Sequence, residues 1–223
     1  LIIIIALGES IVSIGVGAAG LPLDAARITA ALLGMVVAAT LWWAYFDWVI
    51  YVSQARISDA TGPERAALAR DLFSYLHLPM VFGIVLFAFG LHETLPHVNE
   101  PLGPIAAVGL CGGLALYMAA HVAVRLRTGG GRGHGRPVAA VVLVALIPVA
   151  TMVPALAALA LAAIACATLI AYACIGALWL VARNHVRGTV HDLDYGVSAV
   201  WLGRSVRLRS RPAPAQPSRE AAN

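Results

Sequence analysis

The stretch that decides the fold is LFSYLHLPMVFGIVLFAFGL, at residues 72–91. An almost unbroken apolar run of about twenty residues is the length that an α-helix needs to cross the hydrocarbon core of a bilayer. The whole chain shares this character, because 61% of its residues are hydrophobic and only 12% are charged. Soluble domains keep about a quarter of their residues charged. The composition therefore predicts a membrane protein.

Similar apolar segments on both sides of this stretch predict an all-α fold, a polytopic transmembrane bundle of about six spanning helices. The apolar run at residues 138–182 is too long for one span, and Pro154 divides it. Residues 1–182 are thus predicted to form one transmembrane domain, and the Arg- and Pro-rich residues 183–223 a largely disordered tail. The predicted helices cover about residues 1–20, 27–52, 72–91, 104–124, 138–153 and 155–182.

The basic residues predict how the chain lies in the membrane. Every one of them is arginine, and all except Arg27 fall on alternate connections or on the tail. By the positive-inside rule, these connections and the tail are cytoplasmic, which predicts a multi-pass protein of the bacterial inner (plasma) membrane. The lipid bilayer is the predicted partner and nucleic acid is not, because these arginines separate apolar segments. A homo-oligomer remains open.

Glu9 is the most costly polar residue in the predicted spans, since it lies near the middle of the first helix. Ionisable groups at the centre of a spanning helix cost about 2.5–3.5 kcal/mol on insertion scales. One interpretation is a carboxylate that binds a proton or an ion along a polar path. The other is a hydrogen-bonded group that holds packed helices together.

Further ionisable residues lie near the predicted cytoplasmic ends of the spans. Asp47 and His77 have similar depth if the second and third helices are antiparallel neighbours, and such a pair suits either a proton relay or a buried polar contact. His121, near the end of the fourth helix, either joins them or is a solvated cap. Arg70 and Asp71 precede the third helix, where they cap it or pair across the interface.

Several classes of site are not predicted. No cofactor is expected, because the sequence has no Walker A motif, dinucleotide fingerprint or nucleophile elbow. No metal site is expected either, because the spacing of His92, Glu93 and His97 misses the zinc-protease pattern by one residue. Gly109 and Gly113 form a GxxxG pattern, which favours close helix packing.

Three stretches resemble the bacterial low temperature requirement protein A family. They are LIIIIALGESIVSI at residues 1–14, LWWAYFD at residues 41–47 and RDLFSYLHLPMVFGIVLFAFGL at residues 70–91. The resemblance implies a multi-pass bacterial membrane protein that is longer than this chain, and its name records a growth phenotype rather than a reaction. By matching position, it implies that the family's polar signature residues are Glu9, Asp47, Arg70, Asp71, Tyr75 and His77.

Three hypotheses of function follow, from different classes. The leading one is transport, or permeation of a proton, ion or small solute, with Glu9 and the Asp47–His77 pair forming an intramembrane site open to the cytoplasm. The second is a non-catalytic scaffold or sensor in cold adaptation of the membrane. The third is an integral-membrane enzyme, less favoured, in which Asp, His, Tyr and Arg at the interface act on a lipid head group.

Overall fold

The computed structural model describes residues 2–129 and 135–186. For residues 47, 48, 50–52, 177–178 and 180–186 only the backbone is described. Residues 187–223, most of the predicted tail, lie outside the described residues. Every regular element within the described ranges is a helix.

Nine α-helices and three π-helical turns make up the described part of the chain. The π turns Tyr45–Val49, Asp71–Tyr75 and Val108–Gly112 join α2 to α3, α4 to α5 and α6 to α7 without interrupting the helical path. The α-helices are α1 (Ile2–Ala18), α2 (Ala25–Ala44), α3 (Ile50–Asp59), α4 (Gly62–Arg70), α5 (His77–Thr94), α6 (Pro104–Ala107), α7 (Gly113–Arg127), α8 (Gly135–Ala150) and α9 (Ala155–Val186).

Four helical stretches are long and apolar enough to cross a bilayer: Ala25–Ala44, Gly62–Thr94, Pro104–Arg127 and Ala155–Gly176. The helices α1 and α8 are equally apolar but shorter, with 17 and 16 residues. The predicted all-α membrane bundle is therefore confirmed. The predicted count of six spans depends on these two shorter helices.

Two helix boundaries depend on local backbone chemistry. The third span begins as early as Gly62, whose φ of +56° suits glycine and which is followed by a proline in the first turn of α4. Near the other end of the chain, Pro148 stays inside α8. The break between α8 and α9 comes after it, in a turn that ends at Pro154.

The connections between helices alternate between two ends of the bundle. At one end, here called the arginine-poor end, the loop after α5 meets the turn before α9. There the Ala155 N–H donates to the Glu100 carbonyl at 2.8 Å, and the Leu156 N–H donates to the Val98 carbonyl at 3.0 Å. At the opposite, arginine-rich end lie α3, α4 and the end of α7, with Arg56, Arg65, Arg70 and Arg127.

Helix α5 lies at the centre of the bundle and packs against α1 and α7. Glycines bring the α5 and α7 backbones into direct contact. A Cβ atom at Gly83 would lie 2.7 Å from the Gly113 carbonyl oxygen, and one at Gly113 would lie 2.6 Å from the Gly83 carbonyl oxygen. Gly109 lies similarly close to Gly90. The two helices are therefore antiparallel, and this register places His77 of α5 opposite His121 of α7.

Candidate functional site

Five polar side chains from four parts of the bundle gather inside it, towards the arginine-rich end. We call this set the polar core; its members are Tyr45, His77, Tyr117, His121 and Arg136. Tyr117 and His121 are fully buried, and Tyr45 and His77 are only 7% and 6% exposed. Since His121 lies six residues before the end of α7, the polar core lies about 9 Å inside the arginine-rich end.

The π turn Asp71–Tyr75 shapes the surroundings of His77. In an α-helix the Leu76 N–H would bond to the Leu72 carbonyl, but here it donates to the Asp71 carbonyl at 2.9 Å. The Leu72 carbonyl is then reached by the His77 side chain, with Nδ1 at 2.5 Å. A carbonyl can only accept, so Nδ1 carries the proton. The local backbone thus sets the tautomer of His77.

Tyr45 completes the hydrogen bonding of His77. The distance from the Tyr45 hydroxyl oxygen to His77 Nε2 is 2.7 Å. Because Nδ1 holds the ring proton, Nε2 of the neutral imidazole accepts, and the Tyr45 hydroxyl donates. The Tyr45 ring also meets the imidazole edge-on, with centroids 5.6 Å apart. Both ring nitrogens of His77 are therefore satisfied.

One half of the predicted Asp47–His77 pair lies outside the described side chains. The backbone of Asp47 lies in the π turn Tyr45–Val49, but its side chain lies outside the described residues. The described partner of His77 is Tyr45, two residues earlier. The sequence analysis did not single out Tyr45, because a tyrosine near the end of an apolar span is typical of a membrane interface.

His121 differs from His77 in having one nitrogen without a partner. Its Nδ1 lies 2.9 Å from the Tyr117 carbonyl, so Nδ1–H donates to that oxygen. Its Nε2 is buried and has no hydrogen-bond partner among the residues that the structure describes. With the ring proton on Nδ1, Nε2 is an acceptor without a donor, and the Ala44 carbonyl also lies close to this imidazole. Arg136 and His77 lie within electrostatic range of this imidazole.

Two donors from α7 and α8 reach carbonyls in the last turn of α2. The Tyr117 hydroxyl donates to the Leu41 carbonyl at 2.6 Å, and Arg136 Nη2 donates to the Ala44 carbonyl at 3.3 Å. Carbonyls at the end of an α-helix have unused acceptor capacity. These bonds tie α2, α7 and α8 together beside the two histidines. Neither Tyr117 nor Arg136 was singled out from the sequence.

The structure does not bring Glu9 to the polar core. Helix α1 runs parallel to α5, because a Cβ atom at Gly17 would lie 3.0 Å from the His92 carbonyl oxygen, while Glu9, earlier in α1, lines a groove with Val85, earlier in α5. Glu9 lies eight residues before Gly17, and so about 12 Å away along the helix axis, level with Val85. His77, at the start of α5, is about 12 Å from this level, towards the arginine-rich end.

Glu9 lies instead in a groove between α1 and α5, which we call the Glu9 groove. The groove has a volume of about 280 Å³. Its lining includes Val16 of α1 and Val85, Phe89 and His92 of α5. The Glu9 side chain is exposed, and it forms no hydrogen bond or ion pair with any residue in the described ranges.

The remaining candidate residues form a surface cluster at the arginine-rich end. Arg127 Nε and Nη2 each lie 2.9 Å from the Asp71 carboxylate, which links the π turn before α5 to the end of α7. Arg70 Nε is 3.6 Å from Asp71, and its guanidinium is 5.8 Å from the centre of the Tyr75 ring. Tyr75 is 63% exposed. Arg70 and Tyr75 are therefore exposed at the surface, with the partly buried Asp71 beside them.

The described side chains form no cluster of the kind that binds a metal ion. Within residues 2–129 and 135–186, leaving aside the side chains that are not described, no three His, Cys, Asp or Glu residues are grouped closely enough to hold a metal ion.

Comparison with protein families gives one match that covers both sites. A family model described as bacterial low temperature requirement A protein (LtrA) matches residues 1–172. The chain belongs to this family. The matched range holds the polar core, the Glu9 groove and all three stretches that resembled the family in sequence. For this member of the LtrA family, comparison with curated proteins and with solved structures gives no significant match.

Proposed function

We propose that the protein carrying this chain conducts protons across the bacterial inner membrane, with the polar core as a proton-binding station on the cytoplasmic side. The observation that carries the proposal is His121, whose Nε2 is a buried acceptor without a partner among the described residues. An ionisable group kept inside a spanning helix is expensive. A histidine ring can bind a proton at a free nitrogen and release it again, which suits reversible proton binding.

His77 and Tyr45 supply the second part of the proposed station. His77 faces His121 across the α5–α7 crossing, and its Nε2 receives the Tyr45 hydroxyl hydrogen. A proton that arrives at Nε2 of His77 makes the ring a donor at both nitrogens, and the Tyr45 hydroxyl then rotates to accept. His121, His77 and Tyr45 thus place three groups that can bind or release a proton close together inside the bundle.

Proton flux into liposomes that contain the full-length protein tests this proposal. With a pH-sensitive dye inside, we expect flux above that of empty liposomes, and at least a tenfold loss in His121→Leu. The matched control is His97→Gln, which removes a histidine that is exposed in the loop after α5. Unchanged flux in a folded His121→Leu protein would reject the polar core as the station.

A scaffold or sensor in the membrane is the second candidate. It is favoured by the surface pairing of Asp71 with Arg127 and by the saturated hydrogen bonding of His77, since both arrangements hold helices in place. Folded protein with no flux above empty liposomes would put this candidate first. An enzyme acting on lipid head groups comes third, because His77 is buried while Arg70 and Tyr75 lie at the surface.

A further inference from the structure

The Glu9 groove presents a carboxylate to the bilayer side of the bundle. Glu9 lies at the middle of α1, and none of the described residues pairs with it. A carboxylate in an apolar medium either takes up a proton or is stabilised by a counter-charge, because an unpaired ionised group is costly there. A cation bound in the groove supplies that charge.

The walls of the groove favour a cation with an apolar body. Val16, Val85 and Phe89 are 58%, 42% and 39% exposed, so their apolar surface lies on the outside of the described bundle. The face of a phenyl ring attracts cations, most strongly away from water. The groove is open along its side, which allows a ligand dissolved in the membrane to enter laterally. Besides the Glu9 carboxylate, the described side chains that line the groove offer a simple metal ion only the Ser13 hydroxyl and the more distant His92 imidazole.

The dimensions of the groove limit the size of the ligand. Its volume of about 280 Å³ is near the lower end of the range for small-molecule pockets. The half-buried His92 lies at the end of the groove nearest the arginine-poor end, about 12 Å from the level of Glu9. Its imidazole offers a polar contact to the far end of a bound molecule.

We propose that the Glu9 groove is a binding site for a small lipophilic organic cation, an amine or a quaternary ammonium. The charged nitrogen lies against the Glu9 carboxylate, and the apolar body lies against Val85 and Phe89. The binding does not depend on proton conduction through the polar core, because it is an equilibrium property of a different face of the bundle.

Equilibrium dialysis of the full-length protein in detergent with radiolabelled benzyltrimethylammonium tests the site. We expect saturable binding that is at least tenfold weaker in Glu9→Gln, which keeps the side-chain shape but removes the charge. Val16→Trp, which fills the groove, is expected to abolish binding. The control Glu64→Gln removes an exposed carboxylate at the opposite end and is expected to bind as the unmodified protein does.

Neopentylbenzene, the neutral isostere in which carbon replaces the nitrogen, separates charge recognition from simple apolar binding. If neopentylbenzene displaces the radiolabelled cation much less well than unlabelled benzyltrimethylammonium does, the proposal is supported. If the two compounds displace it equally well, the proposal is overturned. Absence of saturable binding, or equal binding in Glu9→Gln, also overturns it. His121→Leu is expected to bind normally, so failure of either proposal is recognised separately.

Discussion

His121 and Glu9 are both ionisable residues of apolar helices, but their surroundings are opposite. His121 is fully buried beside Tyr117 and His77, whereas Glu9 is exposed on the side of the bundle. Their chemistry differs accordingly. We therefore propose that His121 exchanges a proton with groups of the protein and that Glu9 meets a molecule that comes from the membrane.

The hydrogen bond between Tyr45 and His77 leads to a prediction for single side chains. In Tyr45→Phe, the buried Nε2 of His77 loses its donor, and an unsatisfied buried acceptor costs about 1–3 kcal/mol. We expect a lower midpoint of thermal unfolding in detergent. Tyr75→Phe is the matched control, because its hydroxyl belongs to a ring that is 63% exposed. Equal midpoints for the two variants would show that the Tyr45 hydroxyl contributes nothing.

At the scale of residues, the sequence identified the polar residues within the spans better than it identified their hydrogen-bond partners. His77 and His121 could be identified because a polar residue in an apolar span is conspicuous. Tyr45 and Tyr117 could not, since tyrosine is amphipathic and is ordinary both at interfaces and in helix packing. Arg136 was interpreted only as a determinant of orientation, although it donates to the Ala44 carbonyl.

At the scale of elements, the π turns explain why the site could not be predicted in detail. Each π turn adds one residue to the helical path, which rotates the following side chains by about 100° relative to a regular α-helix. The turns at Tyr45–Val49 and Asp71–Tyr75 lie beside the polar core and alter which residues face it. No sequence pattern used here signals such a turn. The packing signal at Gly109 and Gly113, in contrast, corresponds to the observed crossing of α5 and α7.

This crossing predicts how two glycines respond to the same substitution. In Gly83→Ala, the new Cβ atom would lie 2.7 Å from the Gly113 carbonyl oxygen, so the helices must move apart. Overpacking of this kind costs about 1–3 kcal/mol. Gly15→Ala is the matched control, because no atom lies within 4 Å of the new methyl group.

We expect the midpoint of thermal unfolding to fall in Gly83→Ala. In Gly15→Ala it should stay level or rise slightly, since alanine is favoured over glycine within a helix by about 0.5–1 kcal/mol. A similar midpoint for the two variants would contradict a direct contact between the α5 and α7 backbones.

At the scale of the whole molecule, composition and length were enough to predict the fold class. The apolar segments required helices, because only helices and closed barrels satisfy every backbone polar group in lipid. The number of spans was less certain from length alone, and α1 and α8 are indeed short. The arginines predicted that successive connections lie at alternate ends of the bundle. In the structure, Arg127 pairs with Asp71 at one end, and the Ala155 N–H donates to the Glu100 carbonyl at the other.

The same alternation predicts which end of the bundle faces the cytoplasm. Arginines near the ends of short loops remain on the cytoplasmic side, so we expect the arginine-rich end to be inaccessible from outside the cell. Single cysteines at Glu64 of α4 and at His97 of the loop after α5 test this in full-length protein whose native cysteines are replaced by alanine. Both positions are exposed, so they differ only in their end of the bundle.

A membrane-impermeant maleimide added to intact cells is expected to label His97→Cys and to leave Glu64→Cys unlabelled until the cells are opened. Labelling of Glu64→Cys in intact cells would reverse the orientation. The polar core would then face the outside, and the proposed proton station would take protons from the medium instead of the cytoplasm. The Glu9 groove would still open to the bilayer, because its lateral access does not depend on orientation.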